Sequence, residues 1–120
     1  MQYPIADLID RYTIELLKNQ RANAENQLQL KILKIEIDSL PNQEEIQLYL
    51  SALYTFNGSI WDLESDIRKG KEGILGLEEV GRRALAIRDL NGHRILAKNK
   101  IAQLVGEYGE KKYNHASEIN

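Results

Sequence analysis

Between residues 46 and 67 the chain alternates steps of four and three between Ile46, Leu50, Leu53, Asn57, Ile60, Glu64 and Ile67. On an α-helix that spacing sets all seven side chains on one face. Five of them are apolar, so the face belongs to a core. Asn57 and Glu64 stand where leucine is expected. A buried amide or carboxylate is costly unless it is paired, so both residues need partners and both mark a candidate site. Trp61, the single tryptophan, lies between them.

The rest of the composition agrees with helices. Leu, Ile, Ala, Glu, Lys, Gln and Arg dominate, and most of these are good helix formers. Two prolines and a single phenylalanine argue against an all-β domain with many turns. A chain of 120 residues, 42% hydrophobic and 28% charged, is one globular domain long enough to bury a core. The net charge of −2 gives no electrostatic reason for general nucleic-acid binding. The absence of cysteine excludes disulfides and thiol chemistry. No apolar run reaches the length of a membrane span. The first residues have neither the basic head nor the apolar block of a signal peptide, so a cytoplasmic protein is the default.

Pro4 fits the first turn of a helix, with Asp7 and Asp10 near its positive end. Ile5, Leu8, Ile9, Tyr12, Leu16 and Leu17 form its apolar stripe. The polar segment 19–26 contains no Gly or Pro. It reads either as a loop or as an exposed stretch of one long helix, and the lack of a breaker favours the continuous helix. Leu28, Ile32, Leu33, Ile35 and Ile37 resume the stripe, and Leu40-Pro41 ends it. Asn42 followed by Glu45 resembles a capping box for a second helix running to about Lys69. Gly70, Gly73 and Gly76 punctuate a loop. Leu77 to Val80 opens a third helix, whose core positions run Val80, Ala84, Ile87, Asn91, Arg94, Lys98, Ile101 and Val105. Gly106 and Gly109 end it. No internal repeat or low-complexity tract stands out.

The expected fold is all-α, an antiparallel bundle of three long helices over residues 1–110, with 111–120 a mobile tail. The Ile/Leu pattern of residues 28–40 exceeds what one neighbouring helix would cover. A homo-oligomer, a two-fold dimer, is expected through it.

The polar core positions fall in two stripes. Asn57, Trp61, Glu64 and Arg68 share the second helix. Asn91, Arg94 and Lys98, at i, i+3 and i+7, share a face of the third. In an antiparallel pair the stripes meet at mid-height, where Glu64 would find Arg94 or Lys98. Such a meeting is either a buried ion-pair network that fixes helix register, or a pocket whose Arg, Lys and Asn groups grip an anionic or amide-bearing ligand while Trp61 stacks on it.

Three motifs carry a resemblance. They are Asp10-Arg11-Tyr12-Thr13-Ile14, then Ile60-Trp61-Asp62-Leu63-Glu64-Ser65-Asp66-Ile67-Arg68, then the run from Asn91 through Arg94 and Lys98 to Ile101. In order and spacing the chain resembles a little-characterised family of small all-helical bacterial and phage proteins, some encoded near genes for surface polysaccharides. The resemblance implies an all-helical fold and brings no activity. Ser65 and Gly92 stand where the family tends to carry Asp, so chemistry resting on those acids would be lost here.

Other chemistry is weaker. An all-α nucleotide pyrophosphohydrolase holds Mg²⁺ with acids from two helices. Its Glu-Glu-x-x-Glu motif is broken here, since Glu44-Glu45 precede Gln47 and Leu48. Asp62 and Asp66 share a face and could ligate a metal, but read more simply as helix charges paired with Lys or Arg. His93 and His115 form no ligand cluster. No phosphate loop or nucleophile triad is visible. The sequence leans to a non-enzymatic helical binder, without cofactor or metal, for a small anionic ligand or a protein partner. A divalent-metal phosphohydrolase comes second, and a phage protein sequestering a nucleotide signal third.

Overall fold

The computed structural model describes residues 4–67 and 72–106, with only the backbone for 72–74. The described chain is all-helical: α1 (Ile5–Ala22), α2 (Gln27–Asp38), α3 (Gln43–Asp66) and α4 (Glu72–Val105). The expected 111–120 tail and Gly109 lie outside the described residues.

The continuous first helix is corrected. Segment 19–26 separates two helices, so the bundle has four and not three among the described residues. The breaker is asparagine. Asn23 closes α1 in the left-handed region (φ 53, ψ 35), a conformation Asn tolerates because its short side chain bonds locally. Asn19 Nδ2 donates to Ala24 O and to Asn26 Oδ1, both at 3.1 Å. Asn26 Nδ2 donates to Glu15 O and Glu15 Oε1, both at 2.8 Å. These bonds hold the start of α2 about two turns back along α1, so α2 folds onto α1. Asn23→Gly is expected to leave unfolding in urea unchanged or slightly harder. Asn23→Val should cost about 1 kcal/mol, because a branched Cβ is strained at positive φ.

The start of α3 is also corrected in detail. Asn42 is the residue before the helix, as the capping box requires, but its backbone is left-handed (φ 59, ψ 44) and its side chain makes no cap bond. The preceding helix end is closed instead by Gln43, whose Nε2 donates to Ile37 O at 2.7 Å and Leu40 O at 2.8 Å. In α4, Gly76 breaks the helical backbone (φ 81, ψ 159), a region open essentially to glycine alone. The long run of α4 therefore starts after it, at Leu77.

Helix α1 is the hub and packs against each of the other three. Asp7 with Lys98 and Asp10 with Arg94 show that α1 and α4 run antiparallel. Phe56 stacked on His93 (centroids 5.6 Å apart) and Asp66 paired with Arg83 show the same of α3 and α4. Ile9, Leu17, Ile37, Ile46, Leu53 and Ile101 are fully buried. The expected face of α3 is thus the core face. On α4 the burial is confined to the C-terminal half, at Ala97, Lys98, Ile101 and Ala102, while Ala84, expected inside, is exposed. No helix among the described residues is long and apolar enough to cross a membrane.

Candidate functional site

The polar core is built around a carboxylate from α1. Asp10 lies between Ala6 and Leu17 on the buried face and is 5% exposed. Arg94 reaches it from α4 as a fork, Nε to Oδ1 at 3.1 Å and Nη2 to Oδ2 at 2.8 Å. This bidentate geometry is the strong form of a charge-assisted hydrogen bond. Asn57 reaches it from α3, Nδ2 to Oδ1 at 2.9 Å. The same amide nitrogen donates to Thr13 Oγ1 at 2.9 Å, and Thr13 in turn donates to the Asp10 carbonyl at 2.8 Å. Arg94 Nη1 also donates to Asn91 Oδ1 at 3.1 Å. One helical turn away, Lys98 is buried and its Nζ meets Asp7 Oδ1 at 2.8 Å.

Burial alone would push the Asp10 carboxyl up. Hydrogen bonds from Arg94 and Asn57, with the charges of Arg94 and Lys98, outweigh it and hold the group below the ordinary aspartate value. Asp10 is therefore a fixed anion at neutral pH.

Beside this network opens a cavity of about 230 Å³. Its apolar wall is Ile14, Leu17 and Ile60, and its polar wall is Asn57, Glu64, Asn91 and Arg94, with Trp61 completing it. Asn57, Trp61, Glu64, Asn91 and Arg94, expected as site residues, are thus brought together. Lys98 is not in the wall, and Arg68 lies outside the described residues. The expected partnership of Glu64 with Arg94 or Lys98 is not the one these hydrogen bonds make: both cations turn to carboxylates of α1.

Asp10 and Thr13 are the residues the sequence reading missed. Their signal was present: Ala6, Asp10, Thr13 and Leu17 recur at steps of four and three, which puts an acid and a hydroxyl in the apolar stripe of α1. A second missed signal is a short repeat. Residues 81–86 read Gly-Arg-Arg-Ala-Leu-Ala and residues 92–97 read Gly-His-Arg-Ile-Leu-Ala. Eleven residues are about three turns, so Arg83 and Arg94 share one side of α4. Each takes an aspartate from a neighbouring helix, Arg83 with Asp66 at 2.7 Å and Arg94 with Asp10 at 2.8 Å.

Asp62 and Glu79 are held by arginines. Asp62 pairs with Arg21, whose Nη1 also donates to Gly58 O at 3.2 Å. A Cβ at Gly58 would stand 3.3 Å from Arg21 Nη2, so the glycine gives this arginine its path across α3. Glu79 accepts from Arg82 and Arg83. Among the described residues no three His, Asp or Glu side chains converge as a metal-ligand set. No family model, curated protein or solved structure matches the chain.

Proposed function

We propose that this chain is a non-enzymatic binding protein whose mid-bundle cavity holds a small polar ligand beside Trp61. One observation carries the reading. The polar side chains at the centre of the bundle close onto one another around Asp10 and leave beside them an open, half-apolar cavity walled by α1, α3 and α4. A network serving register alone needs no such cavity. An anionic ligand loses support among the described residues, where Arg94 and Lys98 are matched to Asp10 and Asp7. The same matching weakens the sequestering of a nucleotide phosphate. The phosphohydrolase reading draws no support from Asp62 and Asp66, which are held by Arg21 and Arg83.

Trp61 is the only tryptophan and lines the cavity, so tryptophan emission comes from the cavity wall. The test is a screen of small polar fragments by fluorescence. At least one should shift Trp61 emission saturably in the native chain and not in Ile14→Phe, which fills the cavity. A library without any such compound overturns the reading.

We also propose that the chain pairs with a second copy through α2. Leu28, Ile32 and Ile35, at i, i+4 and i+7, are 71%, 55% and 61% exposed, forming one apolar stripe. Lys31 flanks it on one edge and Glu36 on the other. In a parallel pairing Lys31 of one copy meets Glu36 of its partner, twice. An antiparallel pairing centred on Ile32 would set Lys31 against itself. Light scattering is expected to give a dimer that Ile32→Glu converts to monomer; a concentration-independent monomer of the native chain overturns this.

A further inference from the structure

We propose that the cavity beside Trp61 selects an uncharged planar ring carrying an N–H next to a C=O, the lactam edge of a heterocycle, and rejects carboxylates and phosphates. This rests on the binding reading above and names its ligand class.

The charges come first. Arg94 spends its fork on Asp10, and Lys98 meets Asp7. Among the described residues the cavity wall carries one cation, Arg94, and one carboxylate, Glu64. An anion entering it finds the cation of that described wall, Arg94, already matched to Asp10.

The hydrogen-bond inventory then fixes what is wanted. Asn57 is 7% exposed and lines the cavity. Its Nδ2 spends both N–H groups, one on Asp10 Oδ1 and one on Thr13 Oγ1. The amide cannot be turned over: a carboxylate only accepts, and the Thr13 hydroxyl already donates to the Asp10 carbonyl. Oδ1 is therefore the unused end, and among the described residues nothing donates to it. A buried acceptor left so costs roughly 1–3 kcal/mol until water or a ligand supplies a donor. Asn91 presents the opposite end. Its Oδ1 accepts from Arg94 Nη1, and among the described residues nothing accepts from its Nδ2. The Asp10–Arg94 clamp thus holds an acceptor from α3 and a donor from α4 on one wall.

A carboxylate has no donor for Asn57, and an ammonium has no acceptor for Asn91. A secondary lactam carries both, side by side in one plane. Trp61 with Ile14, Leu17 and Ile60 offers the ring flat apolar contact. A dry cavity of roughly 150 Å³ admits benzene, so about 230 Å³ admits a ring with polar substituents.

The experiment titrates the full-length chain with 2-pyridone, N-methyl-2-pyridone and benzoate, following Trp61 fluorescence. The pyridone should bind saturably, the N-methyl compound at least about tenfold more weakly, and benzoate more weakly still; one unsatisfied buried group is worth about that factor. Asn91→Asp keeps the acceptor for Arg94 while replacing the donor, so it should stay folded by circular dichroism and lose pyridone affinity about tenfold. Equal binding of the N-methyl compound, tighter binding of benzoate, or undiminished pyridone binding in folded Asn91→Asp overturns the ligand class and leaves the binding reading standing. If the pyridone fails while other fragments bind, the class again falls alone. If no fragment of any kind binds, the binding reading falls with it.

Discussion

Asp10→Ala is expected to lower the unfolding free energy by about 3–5 kcal/mol, the usual cost of leaving one partner of a buried ion pair behind. Arg94 would keep a guanidinium with no carboxylate at its fork, and Asn57 would lose one of its two acceptors. The Arg94 side chain is 28% exposed, so water recovers part of the loss and the lower end of the range applies. The double variant with Arg94→Met should cost less than the sum of the two single changes, because no charge is left unmatched. Additive effects in urea unfolding would show that the two residues are not coupled. Acidity gives a second handle. The folded-state value of Asp10 is depressed, so its contribution is fully present above the unfolded value of about 3.9. It is lost as pH falls through the lower folded value. Native protein and Asp10→Asn should therefore differ most at neutral pH and converge in acid. A gap that widens in acid would refute the assignment.

Leu53→Ala should cost about 2–5 kcal/mol, through lost burial and the cavity left behind. Leu53 is fully buried at the centre of α3, where it packs with Ile9, Ile46 and Ile101. Leu77 is the control. It is 88% exposed, and Leu77→Ala should change stability by no more than about 0.5 kcal/mol. Thermal unfolding compares the two directly. Similar effects would mean that the core does not run through α3 as described.

The parts legible in the sequence are those written in periodicity. The α3 face from Ile46 to Ile60 needs only the steps of four and three, and the antiparallel meeting of Asn57 with Asn91 and Arg94 needs only short connections. The partner of Arg94 was not legible in the same way. Periodicity says which residues face inward; it does not say which of several inward carboxylates lies at the right height. Glu64 and Asp10 both faced in, and the height of α1 against α4 decided for Asp10. That height depends on the break at Asn23, and the break was hidden because asparagine is an ordinary helix residue in composition and a helix stop only in the left-handed conformation. Once α2 folds back, Leu33 and Ile37 are buried on α1, and the remaining apolar residues of that segment are left outside.

Asp10 and Arg94 stand 84 residues apart in the chain. The α1–α2 hairpin closes over a short stretch and can form early, whereas the clamp waits for a loop whose closure entropy must be met first. On a ribosome the cavity does not exist until most of α4 has emerged. A compound that binds it stabilises only chains in which α4 has folded, by mass action, and has nothing to grip on any truncated product that ends before Arg94. A ligand in the cavity would thus separate chains that include Arg94 from those that end before it.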